Sequence, residues 1–179
     1  MKKETTFAYI LRLSITLVII TALVALALAG VNMITKPVIA QLKAQKTQQA
    51  IEAVLPGGGE EISFTDTTGM VKTVYASENG YAVLVESTGF GGAISMMVGV
   101  DKAGSVWGVS IISHAETPSL GAVAADKTSA GEGFRQQFVG QTGTLEVGQT
   151  VEAISGATIT SKAVTAGVNA AIACVKEVG

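Results

Sequence analysis

Between Ser155 and Ser161 the chain gathers four hydroxyls, on Ser155, Thr158, Thr160 and Ser161, around Gly156 and Ala157, with Lys162 immediately after. The segment that follows places Val164, Val168, Ile172 and Val175 at helical spacing. It reads as an amphipathic helix, with Gly167 a local weakness. The spacing predicts a helix start at about Thr160 or Ser161, either of which can serve as N-cap. Unpaired N–H groups and the positive end of the helix dipole would then lie beside small hydroxyls and a lysine. Gly156 permits close approach of backbone to a ligand. Such a constellation can seat a phosphate. An ordinary cap and turn has the same composition, and the residues alone leave both readings open.

Other chemistries find little support. No P-loop, GxGxxG after a first strand or GxSxG elbow is present. His114 is the single histidine and Cys174 the single cysteine. A Ser-His-Asp triad and a metal site are therefore not expected. Cys174 lies in the apolar helical pattern, where a buried structural thiol is expected. Formal net charge is −2, with no basic stretch interleaved with aromatics. Nucleic acid is not an expected partner.

The elements that must position the hydroxyl run begin with an anchor. Hydrophobic residues make up 48% of the chain and charged ones 15%, against roughly 25% charged in an ordinary soluble domain. The excess sits at the front, where Leu13 to Ile34 hold no charge. About 20 such residues span a bilayer as a helix, whereas signal-peptide cores run about 7–15. An uncleaved transmembrane helix is expected at 13–34, after a cytoplasmic leader at 1–12. The hydroxyls of Ser14, Thr16 and Thr21 can bond back to helix carbonyls. Lys2, Lys3 and Arg12 precede the span and Lys36, Lys43 and Lys46 follow it, a tie under the positive-inside rule. The short leader tilts the N terminus toward the cytoplasm. Residues 35–59 read as an amphipathic stalk, or a helix packed on the domain, closed by Pro56 and the linker Gly57 to Gly59.

The remaining domain, 60–179, opens with five short stretches rich in β-branched and aromatic residues: ISFTD, KTVYA, YAVLVES, AISMMVGVD and GSVWGVSIIS. Glycine-bearing turns separate them, which predicts an antiparallel meander. Met96, Met97 and Trp107 alternate with small residues and read as core. Beyond Ser113 a short helix is expected at Phe134 to Val139 and one or two strands within LEVGQTVEAI. The fold class is α+β: a single transmembrane helix, then an antiparallel-sheet-rich domain with a C-terminal helix.

Three features together carry a resemblance. They are the N-terminal span, HAETPSLGA at His114 to Ala122, and SGATITS at Ser155 to Ser161. The chain resembles the FMN-binding domain family, in particular the G subunits of Rnf complexes, which couple ferredoxin–NAD electron transfer to ion translocation. It is similar, more distantly, to the usually longer C subunits of sodium-translocating NADH:quinone oxidoreductases. In this family a flavin transferase attaches FMN through its phosphate to the last threonine of D-x-x-S/T-G-A-T. Laid on this chain the motif runs from Glu152, in place of Asp, to Thr158. The resemblance therefore implies covalent FMN on Thr158, with Thr160 as runner-up. Ser155, Gly156, Ala157, Thr160, Ser161 and Lys162 would surround the phosphate or cap the helix.

By the same resemblance, Glu116, Thr117, Pro118, Leu120 and Gly121 match the E-T-P-x-L-G segment against the isoalloxazine ring. The turn TGFGG resembles the glycine-rich turn beside the flavin, with Phe90 and Gly91 as contacts; Phe90 could stack or merely fill core. Ser119 stands where relatives commonly have glycine, and would be strained if that position needs positive φ. The implied function is electron transfer within a membrane-bound, ion-translocating ferredoxin:NAD oxidoreductase. The implied partners are the other membrane subunits, a flavin transferase and membrane lipid, with the FMN domain outside the cytoplasmic membrane. Two alternatives are a tethered module binding flavin or another phosphorylated ligand non-covalently, and a purely structural assembly subunit.

Overall fold

The computed structural model describes residues 6–64 and 68–178. Two compact units make up the chain, the first ending at Ala44 and the second beginning at Gln45. Most of helix α1 (Thr6–Val54) belongs to the first, including the uncharged run Leu13 to Ile34, whose apolar side chains are exposed. At 1.5 Å per residue that run extends about 33 Å, enough for a hydrocarbon core of about 30 Å. Thr16 and Thr21 donate their hydroxyls to the carbonyls of Arg12 and Leu17, so these polar groups are satisfied inside the helix. α1 continues through Pro37 to Val54 without a break.

The second unit is built on a meander of five antiparallel strands: β1 (Glu60–Ile62), β2 (Val71–Ala76), β3 (Gly80–Thr88), β4 (Ala93–Asp101) and β5 (Val106–Ser113). Short turns from β2 to β3, β3 to β4 and β4 to β5 make those strands antiparallel neighbours. β1 is shorter than ISFTD implies: Ser63 and Phe64 lie outside it, and Thr65 and Asp66 fall outside the described residues. β3 and β4 are buried on both faces because side chains alternate across the sheet. Val83, Val85, Met96, Val98 and Val100 join the larger core on one face. Ala82 and Met97 face the other way, against Ala50, Ile51, Val54 and Leu55 at the end of α1. Gly99 allows that contact, since a side chain there would strike the Val54 carbonyl.

Helix α3 (Thr158–Val178) covers the first face with Val164, Val168, Ile172 and Val175, and Cys174 is buried with them. Each fully buried aliphatic side chain contributes about 1.5–3 kcal/mol. Gly167 is a point of close approach: an added Cβ would lie 2.8 Å from Met96 Cε. Helix α2 (Ser129–Gln136) begins five residues earlier than expected, capped by Thr128 Oγ1 accepting from Gly131 N at 3.3 Å. Its Phe134 meets Phe138 edge-to-face with ring centroids 5.3 Å apart. No strand forms within LEVGQTVEAI; Val147 and Val151 make an isolated bridge closed by Gly148 N donating to Val151 O. Met96 and Met97 are core, but Trp107 is 38% exposed. A β4–β5 register shift between Gly99 and Val100 breaks the simple alternation beside it.

Leu55, fully buried beneath the sheet, sits in the small cluster that joins the end of α1 to β3 and β4. Leu55→Ala is expected to destabilise the domain by about 2–4 kcal/mol through lost transfer energy and a residual cavity. A lower denaturation midpoint of the detergent-solubilised chain checks this.

Candidate functional site

Three chain segments meet at one end of the sheet, and each is shaped by local rules. The first is the turn from β3 to β4, Gly89 to Gly92, where Gly89 N donates to Gly92 O at 2.8 Å. The second follows β5. Thr117 O accepts from Leu120 N at 3.2 Å and from Ala122 N at 3.1 Å. Pro118 fixes φ at the second turn position and Ser119 takes φ 62° at the third, the type II pattern that glycine suits best. Ser119 is the one non-glycine residue with positive φ among the described residues.

The third segment enters α3. Ala157 N donates to Ile154 O at 2.9 Å across a turn in which Gly156 adopts φ 73°. The first main-chain bond of the helix then runs from Ser161 N to Ala157 O at 2.9 Å. The helix therefore starts at Thr158, and neither Thr160 nor Ser161 is its N-cap. Hydroxyl residues favour the cap position, which is why the sequence pointed to these two, but here each is used inside the first turns. Thr158, Ile159 and Thr160 precede the first bonded N–H, so their amides have no carbonyl partner in the helix.

The segments enclose a cavity of about 340 Å³. Phe90, Glu116, Thr117, Leu120, Gly121, Gly156, Ala157, Thr158 and Thr160 line it, together with Ile159. Glu116 is 6% exposed. Its Oε1 accepts from Gly91 N at 2.8 Å, and its Oε2 accepts from Thr160 Oγ1. His114 Nδ1 accepts from Glu116 N at 3.3 Å. Side chains at Gly89 or Gly121 would run into the carboxylate, and one at Gly91 into the Ala115 carbonyl. The glycines thus let three backbones close around one buried acid.

The hydroxyls divide by helical position. Thr158 is exposed at the cavity edge, whereas Thr160 is 2% exposed and bound to Glu116. Ser161, fully buried, accepts from Ile154 N and donates to Ala157 O, both at 3.0 Å. Ser155 faces a separate recess that includes Ser119 and Phe134. Lys162 is exposed beside Glu146 and Asn169, away from the cavity. Pro118 shapes the loop without lining the cavity, and Gly91 contributes its N–H. Phe90 is 71% exposed and is not core. Ile159, which lines the cavity, and Gly89, which abuts the Glu116 carboxylate, are positions that sequence reasoning does not single out. Ile159 had one signal, an apolar residue placed between two threonines at a helix start.

The cavity can take a phosphorylated planar ligand. Its volume falls within the range of about 300–1,000 Å³ usual for small-molecule sites. Phe90, Leu120 and Ile159 offer apolar surface, and the unbonded amides at the start of α3 favour an anion.

Comparison with known proteins agrees with this chemistry. Residues 89–173 match the model of the FMN-binding domain. The chain is 37% identical to the G subunit of the proton-translocating ferredoxin:NAD(+) oxidoreductase complex of Clostridium ljungdahlii, covering 81% of this chain and 80% of that protein. It is 30% identical to the G subunit of the Na(+)-translocating ferredoxin:NAD(+) oxidoreductase complex of Acetobacterium woodii, over 96% and 94% of the two chains. It is also 30% identical to the G subunit of the ion-translocating oxidoreductase complex of Methanosarcina acetivorans, over 91% and 93%.

The left-handed backbone at Ser119 gives a direct test of the loop. Removing its Cβ relieves about 1–2 kcal/mol of strain, of which about 0.4–1 kcal/mol is returned through the freer unfolded chain. Ser119→Gly is expected to raise stability by up to about 1.5 kcal/mol in a denaturation titration. Ser119→Ala keeps the strained Cβ and should leave the midpoint nearly unchanged.

Proposed function

Because the chain belongs to the FMN-binding G-subunit family of ion-translocating oxidoreductase complexes, we propose that it carries FMN as a phosphoester on Thr158. It then acts as an electron-transfer subunit of a ferredoxin:NAD oxidoreductase. The observation that carries this reading is the contrast between two threonines in one helical turn. Thr158 presents its hydroxyl at the cavity edge, while the Thr160 hydroxyl is buried and already given to Glu116. A transferase can reach the first and not the second.

The residues present fit the group. The first-turn amides of α3 would hold the phosphate, the β-branch of Thr158 would limit motion of the tail, and Phe90, Leu120 and Ile159 would flank the ring. FMN, when bound, supplies reversible acceptance and release of electrons. The chain's own contribution is to bind, orient and shield, with no side chain required as acid or base. Glu152 takes the place of Asp at the start of the motif and lies exposed, open to a transferase. The apolar span of α1 anchors the protein as a single-pass subunit among the other membrane subunits, in contact with lipid. The FMN domain would face the extracytoplasmic side.

In-gel flavin fluorescence after full denaturation tests the reading, on protein co-produced with a flavin transferase. The wild-type band is expected to fluoresce and Thr158→Ala to be dark, with mass mapping placing the flavin on the peptide containing Thr158. A fluorescent Thr158→Ala band would move the attachment elsewhere. A dark wild-type band beside an active transferase would leave a non-covalent flavin module as the better account.

A further inference from the structure

Among the residues lining the cavity, Glu116 alone has an ionisable side chain. Its two bonds reach different parts of the site. Gly91, which donates to Oε1, belongs to the turn carrying Phe90. Thr160, which donates to Oε2, belongs to the helical turn carrying Thr158. One carboxylate thus sets the spacing between the residue flanking the ring and the residue nearest the phosphate.

The space for that carboxylate is reserved on both sides, because neither Gly89 nor Gly121 could carry a Cβ without displacing it. Burying a charge is costly even when it is paired, and an amide of the same shape would serve packing alone. A negative charge held in the cavity wall also opposes the arrival of further negative charge beside it.

We propose that Glu116 is a positioning residue of the flavin site. It holds the Phe90 turn and the first turn of α3 at the separation FMN requires, and its charge keeps the midpoint potential of the bound flavin low. The proposal rests on the FMN reading above. It adds a role for this acid that neither packing nor covalent attachment requires.

Two substitutions in the full-length chain, co-produced with a flavin transferase, test it. Glu116→Gln keeps an acceptor for Gly91 N and can donate its amide hydrogen to Thr160 Oγ1, so it retains the bridge and loses the charge. It is expected to load covalent flavin like the wild type and to show a more positive midpoint in an optical redox titration. Glu116→Ala removes bridge and charge together and should carry several-fold less covalent flavin. An unchanged midpoint in Glu116→Gln would overturn the proposal, as would wild-type loading in Glu116→Ala. Should Glu116→Ala fail to fold, seen in its thermal denaturation, the Gln variant still decides. A wild type without covalent flavin would instead remove the reading on which the proposal stands, and that is seen before any variant is compared.

Discussion

The Glu116 carboxylate is the constraint around which this site is arranged. A buried acid must find donors, since leaving it unpaired costs several kcal/mol. Here the donors are Gly91 N and Thr160 Oγ1, from segments far apart in sequence. Much of the local sequence follows from that arrangement. Gly89 and Gly121 lack side chains because the carboxylate oxygens occupy the space, and Gly91 lacks one because the Ala115 carbonyl does. Pro118 turns the loop so that Leu120 and Gly121 return toward the acid, and Ser119 bears the backbone strain of that turn. The glycine-rich turn and the E-T-P-S-L-G loop are therefore two halves of one contact.

The start of α3 shows how a helix sorts similar side chains into different tasks. Successive residues rotate by about 100°, so Thr158, Thr160 and Ser161 cannot share an environment. Thr158 faces the open cavity, and Thr160 faces the buried acid. Ser161 turns back toward the entering loop, satisfying Ile154 N while donating to Ala157 O. Four hydroxyls in seven residues are not a redundant polar cluster, because at least three of them have distinct geometric roles.

The sheet is legible in the sequence because its signals are local. Alternating burial in β3, the uncharged run of β4 and a glycine in each turn give strand limits close to those observed. Features set by distant partners are not legible in this way. Glu116 carries no local sign that its oxygens are bonded to Gly91 and Thr160, so the sequence gives it a role only through the family resemblance and does not show the brace. The start of α2 is obscured because Gly131 and Gly133 lower helix propensity over its first turns, whereas its cap at Thr128 and the packing of Phe134 stabilise it. Trp107 reads as core if strand alternation continues through β5, but the register shifts near Gly99.

The placement of the cavity also bears on what a cofactor must do for folding. Its walls come from the turn between β3 and β4, the loop after β5 and the start of α3, beside a core closed by the valines of α3. The bridge at Glu116 is complete from protein donors alone. A ligand entering between Phe90 and Thr158 would therefore meet a site already formed, with its apolar rim exposed and its floor fixed. Preorganisation of this kind lowers the ordering cost of binding. It also leaves the Thr158 hydroxyl at the rim while those of Thr160 and Ser161 are buried.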